Sequence, residues 1–474
     1  MMEPSPSTNA RGHPAAVPSR RWSPRLWGLL LVLAGNMLVD ALEVSVVIVA
    51  LPSIGRELDM PLTMSQWLVS GFALGFGGLM LFGGRVVELL GRRRVYLAAM
   101  TGFAVASVIG GLTSEPSVLI ATRFVKGFCA ALTAPTGLAI IASTFPAGRD
   151  RDRAVSVYAL FGAGGFTAGL LLSGFLTGFS WRWTLLFPAP VVLVLAAFGL
   201  RLIPRALPTS TTRHFDIAGA STFAGAVLAL VYGITEVPAH GWVGPRTLGA
   251  FVLAALLAAA FGTVERTSRL PLFRTGVLRS GTLVRSMLGA AALNGSYLGL
   301  LLVATVRLQT DQGWSPLRTA LAFLPASAPL AVTALFSGRL VSRFGTARLI
   351  AAGALGPLVG CLLYLEAPAR SPYATGVLPT MLLVGAGFVL GFAALNMQAT
   401  QGISVSDRAQ AVALYQTAVQ LSAALVVALT AALATGASDD RPALWLISAV
   451  GAAGLAVGLC GLPRGHHPDS PLRK

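Results

Sequence analysis

Four ionisable side chains lie deep inside long apolar stretches of this chain, and their types and positions are suited to handling protons. Asp40 and Glu43 fall within the first apolar stretch, and Arg123 and Lys126 fall within the fourth. A spacing of three residues places the members of each pair on one helix face. Because each charge would cost about 2.5–3.5 kcal/mol if it faced lipid, we predict that the two faces meet in a partly hydrated cavity.

Such a set has two possible roles. Carboxyl groups on adjacent helical turns repel each other when both are ionised, whereas a nearby base favours the ionised form. The set could therefore take up and release a proton as the cavity opens first to one side of the membrane and then to the other. The alternative is a permanent salt-bridge cluster that only fixes the register of the helices.

The composition around these residues is that of a membrane protein. Hydrophobic residues make up 55% of the chain and charged residues 11%, with a mean hydropathy of +0.74, whereas soluble domains carry about 25% charged residues. The net charge of +17 belongs to loops, since no basic domain stands outside the apolar stretches, and nucleic acid is not an expected partner. Cys129, Cys361 and Cys460 lie within apolar stretches at unrelated spacings, which predicts packing roles and no metal site.

Fourteen apolar stretches are each long enough to form a membrane-spanning helix. They cover approximately 27–51, 64–84, 95–112, 118–142, 154–178, 183–203, 216–237, 247–264, 284–306, 319–340, 347–366, 374–396, 409–434 and 443–462. With both termini in the cytoplasm, 26 of the 35 Lys and Arg residues fall in cytoplasmic segments and seven in external ones. This is the asymmetry that the positive-inside rule requires, and it predicts a multi-pass protein of the plasma (inner) membrane.

An internal repeat divides the chain. The segment LFGGRVVELLGRRRVYL, from Leu81, recurs as LFSGRLVSRFGTARLIA from Leu335, and residues 152–154 recur as residues 407–409. The two offsets, 254 and 255 residues, indicate duplication of a six-helix unit. The predicted segments are a disordered cytoplasmic tail (1–26), a six-helix bundle (27–203), a linker with inserted helices seven and eight (204–283), a second six-helix bundle (284–462) and a cytoplasmic tail (463–474).

Three motifs carry a resemblance to a known family. Residues 84–94 resemble the loop signature of major facilitator superfamily transporters, G-x-x-x-D-x-x-G-R-R, with Glu88 in place of Asp. The segment LEVSVVIVALPSIGREL, from Leu42, is similar to the first-span signature of the fourteen-span drug:proton antiporter branch. The segment RFVKGFCAALTAPTGLAII, from Arg123, is similar to the fourth-span motif, with Lys126 in place of Gln.

The resemblance implies an all-α polytopic membrane protein with the major facilitator fold. Its fourteen transmembrane helices would form two six-helix bundles plus two inserted helices. The resemblance also implies that the loop acts as a cytoplasmic latch, in which Glu88 and Arg92 make charge contacts between helix ends in one state only. The latch candidates are Gly84, Glu88, Gly91, Arg92 and Arg93. The alternative is that the arginines only fix topology.

The fifth stretch departs from the family pattern. Family antiporters carry approximately G-x-x-x-G-P-x-x-G-G there, whereas this chain reads GFTAGLLLSG over 165–174, with Leu170 at the proline position. Gly165, Gly169 and Gly174 are predicted to pack closely against neighbouring helices. The missing proline makes transport a firmer inference than antiport.

The second half supplies polar but uncharged candidates for a substrate cavity. They are Asn294, Tyr297, Asn396, Gln398, Tyr415, Gln416 and Gln420. An apolar wall with a few amide and phenol groups suits an amphipathic, neutral or cationic solute. Ordinary hydrogen bonding between helices is the alternative role for each of them.

The sequence therefore predicts a secondary active transporter for proton-coupled efflux of a drug-like or secondary-metabolite solute, as in multidrug and antibiotic resistance. Uptake or uniport of a small metabolite is the alternative. No phosphate-binding glycine loop is found, so the proton gradient is the expected energy source and no cofactor is predicted. We find no catalytic cluster of the kind a membrane enzyme needs. The expected partners are the solute, protons and the lipid bilayer, with the chain acting as a monomer.

Overall fold

The computed structural model describes residues 22–205, 217–268, 275–333, 336–368, 371–404, 407–435 and 440–462. Most of the predicted N-terminal tail (1–21) and all of the predicted C-terminal tail (463–474) lie outside the described residues. The same is true of two parts of the predicted linker, 206–216 and 269–274. Within the described residues the regular structure is helical throughout.

The helices are numbered here in chain order. They are α1 (Pro24–Glu57), α2 (Leu62–Ser65), α3 (Trp67–Leu90), α4 (Arg92–Leu112), α5 (Pro116–Thr144), α6 (Arg149–Thr177), α7 (Arg182–Leu186), α8 (Pro188–Leu202), α9 (Ile217–His240), α10 (Pro245–Thr267), α11 (Thr275–Leu278), α12 (Gly281–Val306), α13 (Pro316–Ala322), α14 (Leu324–Thr333), α15 (Ser337–Phe344), α16 (Thr346–Glu366), α17 (Tyr373–Gly376), α18 (Leu378–Ala399), α19 (Arg408–Thr435) and α20 (Arg441–Cys460). A π-helical turn, Arg307–Asp311, extends α12.

Among the described residues, thirteen helices are long and apolar enough to cross a membrane, and one bent pair brings the number to fourteen. This confirms the predicted all-α polytopic fold. The bent pair is a correction to the tenth predicted stretch, 319–340, because Leu324–Thr333 and Gly338–Phe344 meet at 86°.

The helices pack as two groups with a pair between them. The first half (α1–α8) is built by α1 against α6 and α8, α3 against α5, and α4 against α5 and α8. The second half (α12–α20) is built by α12 against α18, α19 and α20, and by α16 against α18 and α20. Helices α9 and α10 pack on each other, and α9 also lies against α3 and α19, where the two halves meet.

The sequence repeat reappears as two equivalent turns. Gly91 ends α3 and starts α4 with φ 88° and ψ 137°, and Gly345 ends α15 and starts α16 with φ 77° and ψ 153°. Glycine adopts such positive φ values without the steric cost that a Cβ imposes. The two turns lie 254 residues apart, which is the offset of the repeat.

The halves are joined towards one side of the helical layer. We call the side that carries residues 92–94 and 149–153 the arginine-rich face, and the other side the opposite face. Near the opposite face, Ser70 donates to the Ala424 carbonyl (3.0 Å) and Gln309 donates to the Val49 carbonyl (2.9 Å). Near the arginine-rich face, Gly84 has no neighbour within 4 Å of the position a Cβ would take. The conformation is thus closed at the opposite face.

Candidate functional site

The site in the first half begins with a crossing of α3 and α5 at two glycines. A Cβ on Gly75 would clash with the Phe124 carbonyl oxygen, and a Cβ on Gly127 would clash with the Phe72 carbonyl oxygen. The two backbones therefore touch, which small residues permit between membrane helices. This close approach carries Arg123, one turn before Gly127, to the surface of α3.

Glu43 is held by both predicted bases. Arg123 Nη1 donates to one carboxylate oxygen of Glu43 and Lys126 Nζ donates to the other. Arg123 also donates from Nη2 to the Glu43 carbonyl (2.8 Å) and from Nε to the Leu68 carbonyl (2.7 Å). One guanidinium group thus connects α1, α3 and α5.

Aromatic rings cover both bases. The guanidinium carbon of Arg123 lies 4.8 Å from the centre of the Phe72 ring, and Lys126 Nζ lies 4.9 Å from the centre of the Phe103 ring. Cation–π attraction is strongest where water is excluded, and both bases are only 1% exposed. The sequence did not single out Phe72 or Phe103, because phenylalanine is an ordinary core residue in an apolar stretch.

Asp40 lies beside this ion cluster and outside it. Its Oδ2 accepts hydrogen bonds from Asn36 Nδ2 (3.0 Å) and Thr133 Oγ1 (2.8 Å), and no ion pair to Asp40 is found among the described residues. Asp40 precedes Glu43 by three residues on α1, so it lies about 4.5 Å nearer the arginine-rich face. At that level α5 presents Thr133 to it and no base.

The predicted meeting of four charges therefore needs correction. Glu43, Arg123 and Lys126 are in direct contact, whereas Asp40 is one turn away with neutral partners. The predicted partly hydrated cavity is also not seen in this conformation, since these four side chains are at most 2% exposed. The close crossing of α3 and α5 and the two aromatic rings help to bury them.

The loop residues occupy the α3–α4 hairpin on the arginine-rich face. Glu88 pairs with Arg85 on its own helix (2.6 Å), so the expected contact with Arg92 is not made in this conformation. Arg92 donates to the Ala139 carbonyl of α5 (3.3 Å), and Arg93 donates to a carbonyl of α8. Both arginines thus bind carbonyl groups within the first half.

The glycines of α6 lie at helix contacts. A Cβ on Gly165 or Gly169 would clash with α1, and a Cβ on Gly174 would clash with α13 of the second half. At the level of Gly169, Ser45 of α1 donates to the Phe166 carbonyl of α6 (2.7 Å). Helix α6 therefore connects the helix that carries the acids to the second half.

The polar candidates of the second half separate into two groups. Asn294, Tyr297, Gln398, Tyr415 and Gln420 are buried, whereas Asn396 and Gln416 are half-buried. Asn294 Nδ2 donates to the Val419 carbonyl (2.9 Å), which joins α12 to α19. The Tyr415 hydroxyl is buried without a hydrogen-bond partner among the described residues.

Two of these candidates belong to a row of aromatic rings across the junction of the halves. We call it the aromatic row, and it consists of Phe166, Tyr297, Phe388, Phe392 and Tyr415. Successive ring centres are 5.5, 4.8, 4.9 and 6.5 Å apart. Phe166 comes from α6 of the first half and the other rings from the second half. The three phenylalanines were missed from the sequence, because only their mutual contact distinguishes them.

One buried base was also misplaced. Arg307 was counted in an external loop, but it lies in the π-helical turn and is 7% exposed. Its Nη2 donates to the Ala367 carbonyl (3.0 Å), its Nε lies 3.7 Å from a carboxylate oxygen of Asp440, and its guanidinium lies over the Tyr364 ring. It borders a cavity of about 560 Å³ at the opposite face. This charge is therefore at a helix end and not at the depth of Glu43.

Comparison with known proteins gives the chain a family. The family model described as Major Facilitator Superfamily matches residues 33–427. The puromycin resistance protein pur8 of Streptomyces alboniger is 36% identical over 88% of this chain and 83% of its own length. The lincomycin resistance protein of Streptomyces lincolnensis is 31% identical over 85% of this chain and 83% of its own length.

Solved structures show the same fold. The crystal structure of the peptide transporter POT in complex with sulfate superimposes with a TM-score of 0.64 at 15% identity, covering 92% of this chain and 93% of that one. This similarity concerns the arrangement of the helices, which agrees with the two halves described above. The chain is a member of the major facilitator superfamily of membrane transporters.

Proposed function

We propose that the chain exports amphipathic, drug-like solutes across the plasma (inner) membrane in exchange for protons. The observation that carries the proposal is the buried set in the first half, in which Glu43 is bound by Arg123 and Lys126 with Asp40 one turn away. Ionisable groups at this depth of a membrane protein are costly and usually serve transport. Relatives named for resistance to puromycin and lincomycin support export.

The transport cycle we propose is a rocking of the two halves around a central site. In the present conformation the halves are joined near the opposite face, where Gln309 reaches Val49. Breaking these contacts while the arginine-rich ends approach each other would expose the centre to the other side. Glu88, now paired with Arg85, would then be free to contact Arg92 as the proposed latch.

The aromatic row is the proposed solute site. The contact between Phe166 and Tyr297 is its link across the halves (5.5 Å), so movement of the halves would separate these rings and expose their faces. Aromatic faces bind flat apolar groups and attract cations. The hydroxyl of Tyr415, which has no hydrogen-bond partner within the described part of the chain, would add one hydrogen bond.

The remaining features of the proposal concern orientation and energy. The excess of basic residues on the arginine-rich face supports a cytoplasmic location for that face and for both termini. The chain would work as a monomer within the bilayer. The proton gradient would supply the free energy, so the proposal includes no cofactor, no metal and no enzymatic reaction.

The second candidate is uptake or uniport of a small metabolite. It is favoured by α6, where Leu170 stands at the position at which family antiporters have proline. A uniporter would move its solute down a gradient without moving protons.

Export and uptake are separated by transport in proteoliposomes loaded with a pH indicator. For an antiporter, puromycin moving in one direction drives protons in the other, and a pH gradient concentrates puromycin against its own gradient. Cells that express the chain should also tolerate more puromycin and lincomycin, and an uncoupler of the proton gradient should abolish this difference. Puromycin flux without proton movement would favour the uniporter.

A further inference from the structure

The two buried carboxyl groups of the first half have different surroundings, and we infer that they divide the work. We propose that Asp40 is the group that binds and releases the transported proton, and that Glu43 remains ionised and anchors α1 to α5. The inference rests on the proposed proton exchange and names the residue responsible for it.

Glu43 is poorly suited to carry a proton. Both of its carboxylate oxygens are occupied by cationic donors, one by Arg123 and one by Lys126. Guanidinium and ammonium groups are donors only, so a proton placed on either oxygen would displace one of these bonds. Protonation would also leave two buried positive charges without a carboxylate in contact with them.

Asp40 has partners that accommodate either protonation state. Thr133 donates through its hydroxyl, which is able to rotate and accept instead, and Asn36 offers an amide with both donor and acceptor groups. A proton on Asp40 would therefore be satisfied by rotation of these side chains, without movement of the backbone. The same two side chains would donate to Oδ2 of the ionised carboxylate, in the hydrogen bonds described above.

No base faces Asp40 among the described residues. The ionisable groups that interact with it electrostatically are Glu43 on its own helix, Tyr96 on α4, Cys129 on α5 and Tyr158 on α6. None of these carries a positive charge. Asp40 is thus the acid of the set whose charge has no direct cationic partner, whereas Glu43 has two.

The charge of the set changes with a proton on Asp40. Ionised Asp40 and Glu43 balance Arg123 and Lys126, so the set is neutral, whereas protonated Asp40 leaves it with one positive charge. A cationic solute in the centre would be repelled by the protonated set and accepted by the neutral one. Because linkage between two ligands is reciprocal, binding of the cation would release the proton.

The site and the solute region are mechanically connected through α1. Asp40 and Ser45 lie five residues apart on α1, about 7.5 Å along its axis. Ser45 donates to the Phe166 carbonyl (2.7 Å), and the Phe166 ring contacts Tyr297 across the halves. Asp40 and the helix that borders the aromatic row are therefore joined by a continuous series of contacts.

The first test locates the proton without using a solute. Infrared difference spectra of the purified full-length protein between acidic and alkaline pH should show the carbonyl band of a buried carboxylic acid. We expect D40N to lack this band. Thr136→Val is the control on α5, the helix that presents Thr133 to Asp40. Among the described residues Thr136 donates to the carbonyl of Leu132 in its own helix and not to Asp40, so this variant should keep the band. An unchanged band in D40N would overturn the assignment. If D40N fails to fold, D40E takes its place and should shift the band. An unshifted band in D40E would likewise overturn the assignment.

The second test couples the proton to a solute. Ethidium, a planar aromatic cation, is added to the protein in weakly buffered solution with a pH indicator, and its binding is followed by fluorescence. Wild type should release protons on binding, whereas D40N should bind ethidium without releasing them. Proton release by D40N equal to that of wild type would refute the role of Asp40. If wild type releases none and no pH gradient drives its transport, the proposed exchange itself fails, whatever the infrared result for Asp40.

Discussion

The two halves share their glycine turns and most of their helix pairings, but they differ in the side chains that they bury. The repeat offset of 254 residues places Asp40 on Asn294 and Glu43 on Tyr297. In the first half these positions hold carboxyl groups that face a hydroxyl, an amide and two bases. In the second half they hold an amide bonded to the Val419 carbonyl and a phenol within the aromatic row.

The position equivalent to Lys126 is also uncharged in the second half. The offset places Lys126 on Thr380, which donates its hydroxyl to the Gly360 carbonyl (3.0 Å) and so requires no counter-charge. Removing both acids and bases together leaves no uncompensated charge, whereas removing either alone is expensive. Equivalent helices thus pack in similar pairs, while the first half buries charged groups and the second half buries neutral and aromatic ones.

The largest effect on stability is expected when equivalent positions of the two halves are substituted and compared. Glu43→Gln leaves Arg123 and Lys126 buried beside a neutral amide, which should cost about 3–5 kcal/mol of stability. Tyr297→Phe removes one hydroxyl from the matching position and should change stability little. Thermal unfolding of both variants in the same detergent, followed by size-exclusion chromatography, gives the comparison. Equal midpoints for Glu43→Gln and wild type would show that the ion cluster does not hold the first half together.

An intermediate effect is expected when the charge of the first half is introduced into the second. Asn294→Asp replaces the amide donor with a carboxylate oxygen that faces the Val419 carbonyl, and an unsatisfied buried polar group costs about 1–3 kcal/mol, with more for a charge. Asn294→Ala is the control, because it loses the bond without adding a charge. The unfolding midpoint should be lower for Asn294→Asp than for Asn294→Ala. The reverse order would mean that the second half can also hold an acid.

The smallest effect on stability is expected at the glycine turns, which the two halves have in common. Gly91→Ala and Gly345→Ala each place a Cβ in a backbone region that residues other than glycine rarely adopt, which should cost about 1–3 kcal/mol in either half. Gly84→Ala is the matched control, since that position is helical and open. Similar losses of stability at Gly91 and Gly345, measured by thermal unfolding, would support equivalent turns. A loss at one site only would show that the repeat survives in sequence but not in structural role.

Much of the fold was predictable because it depends on long apolar stretches and on two glycine turns. The contact of Glu43 with Arg123 and Lys126 was also within reach, since helical spacing and depth below the membrane surface bring these three together. The separate position of Asp40 was not, because it depends on which residue α5 presents one turn away, here Thr133. Spacing along one helix carries no information about its neighbour.

The aromatic row and the burial of Arg307 were beyond the sequence for related reasons. Phe166, Phe388 and Phe392 come from two helices far apart in the chain, and nothing in the sequence distinguishes them from lipid-facing phenylalanines. Arg307 follows an apolar stretch and so resembles a loop residue. In the structure it lies in a π-helical turn and donates to the Ala367 carbonyl, a contact between residues 60 positions apart that the local sequence does not reveal.

Helix α9 has a consequence for how the molecule moves within lipid. It lies against α3 of the first half and α19 of the second, and Ala224 of α9 is 4.0 Å from where a Cβ on Gly78 of α3 would stand. If the halves rock as proposed, a helix that touches both cannot stay fixed to both, and the cycle would include sliding where Ala224 faces Gly78. On the other flank, among the described residues, α6 meets α13 and α14 without such a cover. Acyl chains would therefore reach the moving boundary from that flank, and the thickness and fluidity of the bilayer should influence the turnover rate there.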